Sequence, residues 1–545
     1  MADSKREIER KFEFAPGKAG KPAKEAGKPA KDDRPRKGAK PGRRAKSGAD
    51  PARVPDLTGT AGIARTRGRG TVLLDAVYYD TPDRRLAAGG VTLRRRTGGE
   101  DAGWHLKLPV SPGVRDEVHA PLGASEDPDR DSDSVPGALA ALVRSRIRQQ
   151  PLEPQVRLVS SRDLTHLLDA DGHLLAELST DAVLAERGAA TAEWTEVEVE
   201  LADGTDPALL DAVEKTFHAA GLKVSGAPSK LARALADTGA APPAPPGTGP
   251  ADGSAGAHVL AYLREQRDIL VAQDPAVRRD LPDSVHQMRV ATRRLRSAFK
   301  SHRKVLDREV TDPIGEQLRR LAAELGVDRD QEVLARRLRE RLDEVPAELR
   351  LGPVADRLRT WDTARRQASR GHALAALDSA WYLALLDSLD AVLADPPLLK
   401  AAARPAESVL PKGLLHDDER LAERVEQALA MEPGADRDVA LHGARKAAKR
   451  ARYAADAARS ALGKPAKRMS KAAESVQTLL GDHQDSVVSR EALRGIAEEA
   501  AGASEASFTW GLLYAREEAF AERLERELPD VWDRARDPEL RSALT

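Results

Sequence analysis

Glu7, Glu9 and Lys11 stand at alternate positions of the segment REIERKF, so in an extended chain they share one face while Ile8 and Phe12 share the other. The same alternation places Arg94 and Arg96 together in VTLRRR, Lys107 in WHLKL, and Glu196, Glu198 and Glu200 opposite Val197, Val199 and Leu201. Any one of these segments is an ordinary amphipathic strand with its charges in water. Together they describe a polar lumen, because a closed barrel would gather carboxylates from its first and last strands against Arg and Lys from its middle strands. Arg grips phosphate oxygens as a fork and Lys as a point charge, whereas carboxylates repel a polyphosphate unless divalent cations intervene. The chemistry this set could perform is metal-assisted work on a polyanionic phosphate.

A second constellation lies further on. HQMRVATRRLRSAFK sets His286, Arg289, Arg293, Arg296 and Lys300 at steps of three and four, one face of a helix, with Arg294 beside it. After 156 residues LHGARKAAKRARYAAD repeats the stripe as His442, Arg445, Lys449 and Arg452, flanked by Lys446, Arg450 and Tyr453. Each histidine is followed, 39 and 38 residues on, by the related hexapeptides LGVDRD and LGDHQD, which indicates an internal duplication. One basic stripe reads as a solvated face or a nucleic-acid contact. Two that face each other across a groove need an anion between them. Zinc on His286, His442 and His483 is disfavoured, since no ligand pair has metal spacing and arginines surround them. A stripe histidine would instead hold phosphate oxygen, more firmly when protonated below about pH 6.5.

The elements that must carry these residues differ between the halves. Before a Pro/Gly-rich stretch, residues 241–257, short segments alternate at period two and predict antiparallel strands; after it, Ala, Leu, Arg and Glu recur at three and four and predict helices. The 545 residues exceed one core, so two domains are expected: residues 3–237 and 257–535, joined by a linker at 238–256. Residues 15–50 hold twelve Lys or Arg with Pro and Gly and nothing to form a core, and are read as a disordered insert. Cysteine is absent, which excludes thiolate chemistry and disulfides. No apolar run is long enough for a membrane span, so a cytoplasmic location and no membrane partner are expected. Formal charge balances at 87 against 87, which leaves the local sorting of the two signs as the informative feature.

The ordered series of motifs before the linker resembles the CYTH, or triphosphate tunnel metalloenzyme, family. Its Glu-x-Glu-x-Lys opening is Glu7, Glu9 and Lys11; VYYDTPDRRLAAGGVTLRRR supplies Tyr79, Asp80, Arg94 and Arg96; Lys107, Arg115 and Glu117 follow, then Arg162, Asp181, Glu198, Glu200 and Lys230. Glu196 would replace Glu198 if the register slips by one pair. The resemblance implies an eight-stranded antiparallel β-barrel tunnel that hydrolyses a triphosphate with Mg2+ or Mn2+. Glu7, Glu9, Asp181, Glu198 and Glu200 would hold metal, and Lys11, Arg94, Arg96, Lys107, Arg162 and Lys230 would orient the substrate. Two departures stand out: the basic insert directly after the first strand, and Ser160 where a Lys-Arg strand pair is expected.

The duplicated stripe resembles the CHAD domain, named for conserved histidines on α-helices. This implies an all-α domain of two pseudo-symmetric four-helix bundles that binds polyphosphate through His286, Arg289, Arg293, Arg294, Arg296, Lys300, His442, Arg445, Lys446, Lys449, Arg450 and Arg452. Asp330 and Asp485 would orient these cations, and Trp381-Tyr382 replaces an expected Arg-Tyr. The leading expectation is a triphosphatase whose second domain positions polyphosphate. The alternative is a polyphosphate-binding or granule-associated scaffold. Nucleic acid is favoured only by charge, since base-stacking aromatics and recognition motifs are missing.

Overall fold

The computed structural model describes residues 3–14, 54–123, 134–240 and 250–544, with the side chains of 327–332 and 366–369 left aside. The expected insert and residues 241–249 of the expected linker lie outside these residues. The chain divides into two compact units, residues 1–244 and 245–545.

The first unit is a closed antiparallel barrel. Its strands are β1 (Asp3–Phe14), β2 (Arg65–Asp80), β3 (Thr92–Thr97), β4 (Gly103–Ser111), β5 (Val114–Ala120), β6 (Glu153–Leu168), β7 (Leu174–Arg187) and β8 (Ala190–Leu201). They pair in the order β5-β4-β3-β2-β6-β7-β8-β1, and β1 returns to β5 to close the ring; short β9 (Leu222–Val224) extends the far end of β1. The first strand therefore serves two neighbours in turn. Asp3 to Ile8 face β5, and Glu9 to Phe12 face β8.

Strand alternation sorts each side chain in or out. Phe12, Val197 and Val199 point outward and are covered by Leu210, Val213 and Phe217 of the helix Ala208–Ala219. Leu93, Trp104, Leu106 and Val118 point outward beneath Leu139, Leu142 and Val143 of the helix Gly137–Ile147. The inward columns change character along the strands. Ala76, Leu158, Val183, Ala185 and Trp194 make one end of the lumen apolar, and Leu231, Ala234 and Leu235 of the helix Lys230–Asp237 fill it. What remains open is a polar chamber at the other end.

The second unit is all α-helix. Numbered from here, α1 (Ala255–Arg278), α2 (Ser284–Ser301), α3 (Arg308–Glu324), α4 (Gly326–Asp343) and α5 (Val354–Asp378) form its first half, α6 (Ala380–Ala394) braces them, and α7 (Ala406–Leu429), α8 (Ala435–Leu462), α9 (Lys464–Gly502) and α10 (Phe508–Ala535) form the second. The halves match as the duplication predicts: α3 and α4, interrupted at Leu325, correspond to the single helix α9, so each half is a four-helix set. LGVDRD lies at that interruption, while LGDHQD lies inside unbroken α9. Ala444, Ala447, Ala448, Ala451, Ala454, Ala455 and Ala458 line the buried sides of α8. Such small side chains allow close approach to neighbours, and α8 packs on α7, α9 and α2. Among the described residues no helix is long and apolar enough to cross a membrane.

Asp80 holds the turn after β2. Its buried carboxylate accepts backbone N–H groups from Thr81 at 2.7 Å, Leu86 at 2.8 Å and Ala87 at 2.9 Å. Tyr79 packs outward on Trp104, with ring centroids 5.0 Å apart. Both residues of the Tyr-Asp motif thus hold the wall rather than line the chamber. Asp80→Ala should cost about 3 kcal/mol by stranding buried N–H groups, read as a lower urea midpoint for barrel unfolding.

Candidate functional site

The chamber, ≈ 390 Å³, is lined by Glu7, Glu9, Lys11, Arg94, Arg96, Lys107, Arg115, Glu117, Arg162, Glu198, Glu200 and Lys230. Ten of the eleven residues assigned to it from sequence therefore line it. The eleventh, Asp181, is fully buried just behind: both its oxygens accept from Arg162 at 2.7 Å, and Lys230 reaches it at 2.9 Å. Glu196 is likewise deeper than Glu198, 1% exposed and 3.1 Å from Lys230. Lys230 also lies 2.6 Å from Glu198, which is held by Lys11 as well.

Register explains these pairs. Arg162 stands directly across from Asp181, and Lys11 from Glu198. Register also sets like charges against each other: Glu9 faces Glu200, Glu200 faces Glu177, and Asp181 faces Glu196. Such pairs are destabilising unless a cation sits between them. Lys5 supplies one at 2.8 Å from Glu200, and Lys11 another at 3.3 Å from Glu9.

Two further groups of like charge line the chamber. Burial, with Glu117 alongside, pushes the Glu7 carboxyl up to about 8 although Lys107 lies 2.6 Å away. Glu117 is held low: its burial is outweighed by His105, whose Nδ1 is 2.9 Å away, and by Lys107. On β3, burial first and neighbouring Arg94 next hold Arg96 below its usual range. Nε of Arg94 and of Arg96 are buried donors with no acceptor among the described residues. The rest of each guanidinium is engaged: Arg96 pairs with Asp101, and Arg94 donates to Tyr78.

Sequence reasoning did not single out Lys5, Tyr78, His105 or His119, which also line the chamber. Three of them were accessible to the period-two rule: Lys5 is two before Glu7, His105 two before Lys107, and His119 two after Glu117. Gly103 admits His119, since a Cβ there would lie 2.2 Å from its Nε2. Tyr78 accepts from Arg94 at 3.3 Å and marks the border with the apolar layer.

In the helical unit a groove of ≈ 930 Å³ is lined by Arg293, Arg296, Lys300, His442, Arg445, Lys446, Lys449, Arg450 and Tyr453, so the two stripes do face one another. Helix α7 adds Arg420 and Arg424, whose i, i+4 spacing was a readable signal. The other predicted stripe residues lie elsewhere. Arg289 is buried and donates to the Gly326 carbonyl at 3.4 Å; Arg294 stacks over Tyr453 at 5.8 Å; Arg452 pairs with Glu474 at 3.0 Å. His286 is part-buried and is not among the residues lining the groove.

Lys449 is part-buried within the charge cluster. Burial first, then Arg445 of its own helix and Arg293 and Arg289 of α2, push its ammonium down to about 7, with Asp485 of α9 opposing them. Asp485 stands 3.8 Å from Arg445. His483 is turned away from the stripe, buried 3.2 Å from Glu525 and 3.4 Å from Asp438. That trio is compact enough for a metal ion, yet Arg437 reaches Glu525 at 3.1 Å and Arg490 reaches Asp438 at 3.2 Å, so both carboxylates already have cations.

Comparison with known proteins agrees with this architecture. The CYTH domain model matches residues 64–235 and the CHAD domain model residues 261–494. The CYTH match begins after β1, the strand that closes the barrel. Two uncharacterized proteins from Mycobacterium tuberculosis strains, MT2285 and Rv2226, are each 40% identical over 501 residues, 87% of this chain and 92% of theirs. Among solved structures, PptA from Streptomyces chartreusis aligns at 21% identity and TM-score 0.43 over 51% of this chain and 99% of its own. HpAC1 from Hippeastrum, a proposed adenylyl cyclase described with a dominant triphosphatase activity, aligns at 17% identity and TM-score 0.22, over 42% of this chain and 95% of its own. Overlaps this limited carry no argument about activity.

Asp181→Ala would remove the two-oxygen partner of Arg162 and one of the three carboxylates around Lys230, leaving Glu196 and Glu198. The expected cost is about 3 kcal/mol, measured as a lowered urea midpoint for the barrel transition.

Proposed function

We propose, for a chain that belongs to the CYTH superfamily of triphosphate tunnel enzymes through its barrel and to the CHAD family through its helices, that the barrel hydrolyses inorganic triphosphate or a related triphosphate and the helices bind polyphosphate. The observation that carries the reading is one polar chamber that gathers Glu7, Glu9, Glu198 and Glu200 with Arg94, Arg96 and Lys107, where Nε of Arg94 and of Arg96 have no acceptor among the described residues and burial pushes the Glu7 carboxyl up.

The donor set fits Mg2+ or Mn2+. Glu7, Glu9, Glu198 and Glu200 offer the hard oxygen ligands such ions take, and the facing of Glu9 with Glu200 is relieved by a cation. Bound there, the ion would supply Lewis-acid polarisation of the phosphoryl group. Arg94, Arg96 and Lys107 orient the phosphate chain and neutralise charge as it develops on the leaving phosphate. Asp181 acts through Arg162 and Lys230 as a positioning residue, because both its oxygens are engaged by them. Low-dielectric surroundings, given by the apolar plug beneath Tyr78, strengthen each of these contacts.

In the helical unit, the ladder of cations from α2, α7 and α8 matches a linear chain with a charge on every phosphate. Delivery of such a chain in the cytoplasm, or at polyphosphate granules, is the setting this pairing suits. The rival reading is a binding scaffold, favoured by one observation: Lys11, Arg162 and Lys230 are already taken by carboxylates and are not free for substrate. Base-stacking aromatics in the groove are limited to Tyr453 among the described residues, which disfavours nucleic acid.

Phosphate release from inorganic triphosphate with Mg2+ or Mn2+ separates the readings. Glu7→Gln/Glu9→Gln should lower it on the order of a hundredfold, the scale of electrostatic contacts to a transferring group. Glutamine keeps the size of both side chains, and circular dichroism checks that the variant is folded. Metal-dependent release by neither protein, with polyphosphate still bound, would leave the scaffold.

Lys449 gives the groove a pH profile. A bound polyanion restores its charge, so binding takes up a proton, and affinity is highest below pH 7 and falls as pH rises through it. Titration calorimetry at pH 6 and pH 8 should show this slope, with Lys449→Met weaker at pH 6 and nearly flat.

A further inference from the structure

Beyond Lys300 the groove gives way to a second, smaller cavity of ≈ 130 Å³ where the end of α2 meets α7. Lys300 lines both. The cavity is bordered by Arg303 and Lys304 just past α2 and by Lys412 and His416 of α7, with no carboxylate among the described residues lining it. Its inner side includes His302, 5% exposed, whose Nε2 has no hydrogen-bond partner among the described residues. Burial keeps this imidazole neutral, holding it down at about 4, so one ring nitrogen carries a proton to donate.

Lysines after a helix C-terminus ordinarily answer the helix dipole. That accounts for Lys304 but not for Lys412, which stands past the first turn of α7, nor for a buried ring nitrogen with no partner among the described residues. The cavity holds on the order of four water volumes, the size of one phosphate group rather than a run of chain. Its tie to the groove is covalently short and electrostatically firm. Asp417 accepts from Ser301 at 2.6 Å on one side and pairs with Arg450 of the groove at 2.7 Å on the other.

We infer that this cavity is a single-phosphate pocket at the end of the groove, which takes the terminal phosphate of a bound polyphosphate chain or free orthophosphate. The inference rests on the polyphosphate reading of the groove. A terminal phosphate suits it better than an internal one, because only the end group has a second ionisation near neutral pH. A pocket with several cations and no carboxylate gains most from that extra charge. The groove thereby acquires a direction, with one chain end fixed at α2 and α7 and the interior phosphates along Lys449 and Arg445.

The test uses the full chain and three probes: long-chain polyphosphate, the same chain with both ends capped as phosphoramidates, and orthophosphate. Wild type should bind the open chain on the order of tenfold more tightly than the capped one, the scale of one charge-assisted contact. Lys304→Met/Lys412→Met should bind open and capped chains equally, at the wild-type affinity for the capped chain. Orthophosphate binding lost in that variant, without preference for open ends, assigns the pocket to free phosphate. Equal binding of open and capped chains by wild type, with no orthophosphate bound, overturns the pocket while leaving the groove. No binding of either chain overturns the groove reading beneath it.

Discussion

Charges inside the barrel constrain everything around them. A carboxylate or ammonium taken from water into a protein interior costs several kcal/mol unless it is paired, and this lumen holds many of both signs. The solution is written in register. Each strand offers its charges at every second residue, and the pairing of β6 with β7 and of β1 with β8 brings Arg162 to Asp181 and Lys11 to Glu198. A slip of one residue would turn these groups into the outer core and bring Val197 and Val199 into the lumen. The outer helices, the turn held by Asp80 and the closing contact of β1 with β5 all serve to keep that register.

The pairing runs through the whole lumen. Arg162 and Lys230 hold Asp181, Glu196 and Glu198 beside the apolar plug, while Lys107 and His105 hold Glu7 and Glu117, and Asp101 holds Arg96. Some capacity is left over: burial pushes the Glu7 carboxyl up, and Nε of Arg94 and of Arg96 have no acceptor among the described residues. A closed ring of eight strands keeps these groups from rearranging to satisfy one another.

Period-two alternation made most of this legible from the residues alone, since in a barrel a side chain's face follows from parity. What parity leaves open is depth. Asp181 and Glu196 share a face with Glu198, yet the helix Lys230–Asp237 seals the lumen beside them and its first residue engages them. That plug is a tertiary event with no local signal. Tyr79 and Asp80 were legible as part of a motif but not as parts of the wall, because that motif marks a turn whose N–H groups must be satisfied. In the helical unit the three-four spacing found both stripes, but a stripe wider than its groove puts some members elsewhere: Arg294 lies over Tyr453, and Arg452 reaches toward α9. Angular position on a helix resolves such cases only once the crossing of α2 and α8 is known.

Duplication explains why the groove is basic on both sides, and its decay explains why it is not symmetric. An ancestral helix pair that presented a cationic stripe would repel its copy, and the alanine face of α8 is what allows α2 and α7 to approach regardless. Apolar packing on one side of α8 thus holds cations together on the other, and Lys449 is kept near neutrality by that compression. The same principle governs both units. Rigid apolar packing holds like charges closer than water would permit, a strain that a multiply charged ligand of the opposite sign would release.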